Sequence, residues 1–143
     1  MDVRHYAVLE ALSTGVKTAE ELAGEVDMEP HEVEIILNAL LAQGLVERRE
    51  RGLLFKREAY GISEKGWHAL TQWREEVKKA VEKAAELRRE GRDEEADRLL
   101  APLQPVIPFL LASGVIEMAL WSAALGQLLG GLEEGEGGDS LEL

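Results

Sequence analysis

The chain has 143 residues, 45% of them hydrophobic, which is enough to bury a core and leave room for an oligomerisation segment, so wholesale disorder is excluded. It has no cysteine, which removes disulfides, thiolate zinc sites and cysteine nucleophiles and fits a reducing, cytoplasmic setting. With 28 acidic against 16 basic residues the net charge is −12, a field that repels DNA at long range, so nucleic-acid contact requires a local cluster of cations.

Met1 to His5 lead directly into an amphipathic pattern with no basic segment ahead of an apolar run, so no secretory signal is expected. Few Asn and Gln beside abundant Glu and Arg point to a thermophilic source. Val3, Tyr6, Leu9 and Leu12 repeat at helical spacing and stop at Ser13-Thr14-Gly15, predicting a first helix. Thr18 and Glu21 have the spacing of a capping box and open a short second helix that buries Leu22, Ala23 and Val26. Asp27-Met28 make a turn. Pro30 suits the first turn of a third helix, whose inner face is Val33, Ile36, Leu37, Leu40 and Leu41, and Gly44 ends it. Leu45 to Arg49 and Leu53 to Arg57 read as two short strands of a hairpin turning at Gly52.

Val26-Asp27-Met28-Glu29-Pro30, the stretch from Gln43-Gly44-Leu45 to Arg48, and Tyr60-Gly61-Ile62-Ser63-Glu64-Lys65-Gly66 resemble winged-helix transcription regulators of the MarR and PadR type. The resemblance covers about the first half of the chain. It implies a prokaryotic regulator in which Tyr60 to Gly66 open the helix after the wing. The third helix would enter the major groove of double-stranded DNA, presenting Glu29, Pro30, His31, Glu34, Ile35 and Asn38. Arginine and lysine, the usual guanine readers, are missing from that set, which leaves His31 and Asn38 as candidate base readers; an Asn amide can pair bidentately with adenine.

Beyond the wing, Leu70, Trp73, Val77, Ala80, Ala84 and Leu87 alternate steps of three and four along one long helix from Trp67 to Glu90, a heptad seam expected to dimerise. Gly91-Arg92 breaks the helix, Asp93 is placed to cap the next, and Ala96, Leu99, Leu100 and Leu103 would pack back on the long helix. Val106 to Leu129 is the most apolar stretch. Glu117 near its middle would cost about 2.5–3.5 kcal/mol in a bilayer, so a buried dimer core is expected and a membrane span is not. Trp67, Trp73 and Trp121 read as core residues, with the lining of an effector pocket between the winged domain and the dimer helices as the alternative. The organisation expected is a winged helix-turn-helix domain over 1–66, a long helix with C-terminal dimerisation helices over 67–132, and an acidic flexible tail over 133–143, in a mainly α chain with one small β-hairpin.

The dense basic patch is the wing, where Arg48, Arg49, Arg51, Lys56 and Arg57 put five cations within ten residues. They are the candidate phosphate contacts, although charges also protect edge strands from aggregation. His5, His31 and His68 have no zinc-ligand spacing, and no phosphate loop, nucleophile elbow or catalytic carboxylate pair stands out, so neither a metal, a cofactor nor an enzyme is expected. The sequence reads as a homodimeric DNA-binding transcription regulator acting through a basic wing. The alternative is a winged-helix interaction module whose acidic third helix docks on a basic protein partner.

Overall fold

A computed structural model describes residues 1–126, which fall into two compact units, Met1–Arg74 with Pro105–Phe109, and Glu75–Gln104 with the described residues from Leu110 onward. The first unit contains α1 (Val3–Leu12), α2 (Ala19–Val26), α3 (Pro30–Ala42), the antiparallel strands β1 (Val46–Arg51) and β2 (Arg57–Ile62), and the start of α4 (Glu64–Arg89). This is a winged helix-turn-helix.

Local chemistry sets the helix ends. Asp2 accepts the Arg4 and His5 backbone N–H groups at the start of α1, and Thr18 and Glu21 exchange capping hydrogen bonds at the start of α2. Asp27 closes α2 in the left-handed region at φ 57°, a turn tight enough for α3 to begin at Pro30, whose missing N–H is not needed there. Val8, Leu9, Leu12, Leu22, Val33, Leu37, Leu40 and Leu70 fill the core and are fully buried, each contributing about 1.5–3 kcal/mol relative to an exposed side chain. Leu41, expected on the same face, is half-buried. Tyr6 stacks on Trp73 with ring centroids 5.1 Å apart.

Among the described residues one charged side chain is buried. Glu10 is 5% exposed, and Arg74 reaches it in a two-pronged contact, Nε to Oε1 at 2.7 Å and Nη2 to Oε2 at 2.9 Å. The fork matches the carboxylate geometry and supplies the hydrogen bonds that burial would otherwise remove.

The second strand differs from the sequence expectation. The ladder runs from Val46 opposite Ile62 to Arg51 opposite Arg57, so Leu53 to Phe55 lie in the connecting loop and Tyr60 to Ile62 finish a strand instead of opening α4. Burial decides between the two placements. Ala59 and Tyr60 are buried, and Tyr60 exchanges backbone hydrogen bonds with Lys17 in the α1–α2 connection, at 2.8 and 3.0 Å, while Leu53 to Phe55 have no core within reach. The Lys17 ammonium in turn donates to the Ala11 carbonyl at 2.7 Å and to Glu25 at 2.8 Å, which ties α1, α2 and β2 to one residue.

The root of the hairpin is locked to α4. The Ser63 hydroxyl donates to the Gly44 carbonyl at 2.6 Å and accepts the Gly66 N–H at 3.0 Å. A Cβ at position 66 would collide with the Leu45 carbonyl oxygen and the Ile62 side chain, so only glycine lets the first turn of α4 approach β1 this closely.

In the second unit, the later part of α4 meets α5 (Asp93–Leu100) and α7 (Met118–Leu125) around Arg88, which donates to the Ala124 carbonyl at 2.7 Å and pairs with Asp93 and Asp97. Asp93 does not cap α5 as expected. The N-cap position falls on Arg92, whose guanidinium pairs with Glu95, and Asp93 joins Glu94 and Glu95 in the first turn beside the positive end of the helix dipole. Ala96, Leu100 and Leu103 are buried and Leu99 is half-buried. A 3-10 helix over Ala101–Val106 leads into α6 (Ile107–Ser113), and Gly114 at φ +85° separates α6 from the turn before α7. Among the described residues no helix is long and apolar enough to cross a membrane. The expected acidic tail over 133–143 and the end of the apolar stretch lie outside the described residues. Of the three tryptophans, Trp73 and Trp121 are buried, and Trp67 is 41% exposed.

Candidate nucleic-acid interface

Helix α3 buries Val33, Ile36, Leu37 and Leu40, and the same 3.6-residue period turns His31, Glu34, Ile35 and Asn38 outward. All four are exposed, with Ile35 at 56%. The α3 surface is acidic: Glu29 sits at the N-cap and Glu32 in the first turn. It meets the wing through β1, and Glu34 is close enough to act on Tyr60. Burial raises the phenol above its ordinary pKa, and Glu58 and, more weakly, Glu34 add to that rise.

Residues paired across an antiparallel ladder share a face, so Arg49, Arg51 and Arg57 lie with Ala59 and Gly61 on one side of the wing and Arg48 lies with Tyr60 on the other. The alternation thus splits the cations, with three of the five on one face. Arg48, Arg49, Lys56 and Arg57 line a recess of about 320 Å³ together with Glu50 and Glu58.

Each wing cation has a carboxylate beside it. Arg48 pairs with Glu58 across the ladder, Arg49 with Glu47 at 2.5 Å, Arg51 with Glu21 at 2.6 Å, Lys56 with Glu50 at 3.5 Å and Arg57 with Glu20 at 3.9 Å. The loosest pairs are those of Lys56 and Arg57, just after the loop, whereas Arg51, opposite Arg57 at the same end of the ladder, is held closely. Arg51, near the α2 end, also donates to the Val16 carbonyl at 3.0 Å, and its guanidinium, with the Thr18 N–H, holds the Glu21 carboxyl down at about 2. Lys56 and Arg57 sit beyond hydrogen-bond distance of their partners, with side chains 65% and 62% exposed.

The heptad seam is not an open surface. Leu70, Trp73, Val77, Ala84 and Leu87 are buried in the single chain and Ala80 is half-buried. A feature absent from the sequence reading is the wing tip, where Leu53, Leu54 and Phe55 stand almost wholly in solvent. Their sequence signal was a strand-like apolar run with no partner positions for it to pack on.

No family model matches the chain, and no curated protein matches it. Among solved structures it is similar to one described as the crystal structure of Bacillus subtilis PadR in complex with operator DNA, with 18% identity over 89% of this chain and 90% of that chain and a TM-score of 0.46.

Proposed function

We propose that the chain is a DNA-binding transcription regulator in which α3 enters the major groove and the wing cations contact phosphates. The observation that carries this reading is the placement of an exposed α3 face beside a hairpin whose five cations all keep their side chains at least 40% exposed. Their carboxylate pairs do not bury them. Surface pairs of this kind are worth about 0–1 kcal/mol, so phosphates can replace the carboxylates at small cost. The displaced acids remain nearby, which makes weak, steeply salt-dependent binding the expected behaviour. Asn38 and His31 supply the base contacts, Asn38 by the amide pairing that suits adenine.

The chain works as a homodimer in this reading. The support is a mostly apolar stretch on the second unit, interrupted by the exposed Glu117, where Ala112, Met118 and Ala119 are exposed and Leu111, Val115 and Leu120 are half-buried. Light scattering measures the mass directly.

Titration of a labelled random duplex at low and then moderate salt tests the DNA reading. Arg49→Ala is expected to weaken binding to all sequences alike and to lower the salt slope by about one unit. A duplex left unbound at low salt would overturn the assignment. The pairing of every wing cation with a carboxylate, together with the acidic α3, favours a second reading, a module that docks α3 on a basic protein partner. That is where an unbound duplex would lead.

A further inference from the structure

The hairpin ends in Leu53, Leu54 and Phe55, which are 98%, 89% and 84% exposed. Among the described residues the other exposed large hydrophobic side chains, Met1, Val16, Ile35, Trp67 and Met118, are isolated from one another in sequence. Single exposed apolar residues are ordinary, but three adjacent ones at the end of a projecting hairpin form a surface that needs covering. Gly52, at φ +105°, sends the chain into this loop, and a Cβ there would press on the Phe55 carbonyl oxygen at 2.5 Å, so the turn that presents the triplet is built for glycine.

The charges around the triplet say what covers it. Arg51 directly precedes the loop and Lys56 and Arg57 directly follow Phe55. The two cations after the triplet are also the most loosely held of the wing, with carboxylate oxygens 3.5 and 3.9 Å away. A partner that satisfies both features offers negative charge on either side of a narrow slot that accepts apolar side chains. The duplex minor groove is such a partner: phosphates line its edges, and its base steps open to Phe or Leu wedges.

Resting on the DNA reading above, we infer that the wing tip is a minor-groove wedge. Phe55, supported by Leu54, enters between adjacent base pairs, unstacks them and kinks the duplex, while Lys56 and Arg57 exchange Glu50 and Glu20 for phosphates. Pyrimidine–purine steps, the easiest to unstack, are the preferred sites, so part of the sequence preference comes from deformability and not from base-edge contacts.

The test uses the full chain and an A·T-rich duplex with central TA steps, 2-aminopurine beside one of them and dyes at both ends, in low salt. Binding is expected to brighten the 2-aminopurine and bring the dyes closer. Phe55→Ser should abolish both signals and weaken binding roughly tenfold, in line with the loss of one aromatic–base contact, while circular dichroism and the urea midpoint stay unchanged. Phe55→Trp should restore the signals. Saturated binding without brightening would overturn the wedge and leave the DNA reading standing. Duplex binding in which Phe55→Ser instead removes only self-association, or only binding to phosphatidylserine vesicles, would also overturn it and assign the tip to a second copy or to a bilayer. If wild type leaves the duplex unbound, the DNA reading fails and the wedge fails with it.

Discussion

The two ends of the wing are built on opposite rules. At the root, Ala59 and Tyr60 are buried, Ser63 bridges Gly44 and Gly66, and α4 lies so close to Leu45 that position 66 has no room for a side chain. At the tip, a few residues away, Leu53 to Phe55 touch almost nothing. The contrast shows that apolar character alone does not place a residue. Alanine at 59 is buried because the ladder and Lys17 hold it there, and phenylalanine at 55 is bare because no element reaches it.

That contrast can be broken at the root far more easily than at the tip. Gly66→Ala should have the largest effect: the clash is with a backbone carbonyl that cannot rotate away, so urea unfolding is expected to show a loss of about 3 kcal/mol or more. The Phe55→Ser variant is the natural reference, since an exposed loop substitution should leave the midpoint within about 0.5 kcal/mol of wild type. Equal losses in the two variants would erase the distinction between root and tip.

The helices under the root carry the next effect. Arg74→Ala strands the Glu10 carboxylate in the core and should cost about 2–4 kcal/mol, below the upper range for buried pairs because the guanidinium is partly solvated. Replacing both partners with apolar residues should recover much of that loss. A single-variant loss too small to measure would mean that Glu10 finds water or another donor.

The smallest effect sharpens the comparison along the wing itself. Glu21 titrates at about 2 in the folded chain against an ordinary 4.5, chiefly because of the Arg51 guanidinium. A depressed carboxyl contributes stability above its unfolded value and loses it as pH falls, so the contribution should fade between about 4.5 and 2. Urea midpoints of wild type and Glu21→Gln should therefore converge through that window as the pH drops. Parallel curves would show that Arg51 does not hold the wing to α2.

Much of the first unit was readable in the chain because its signals are local. The capping box at Thr18 and Glu21, Pro30 at a helix start, and the apolar periods of α1 to α3 each need only neighbours in sequence. The second strand was misplaced because Leu53-Leu54-Phe55 has the composition of a strand, whereas what fixes β2 is its pairing to Val46 and Lys17, set by contacts distant in sequence. The site was legible as a list of cations but not as an electrostatic arrangement. Glu21 stands thirty residues from Arg51, and no spacing rule connects them. The seam of α4 was legible as a period, but a period does not say whether the covering helix belongs to the same chain or another.

Lys17 gives the wing its mechanical character. Its backbone is stitched on both sides to Tyr60 while its ammonium grips the end of α1 and the acid of α2, so the hairpin has no free pivot at its base. A load applied at the projecting end is therefore delivered to the corner between α1 and α2, through Lys17 at the root and through the Arg51 contacts to Val16 and Glu21 nearer the loop.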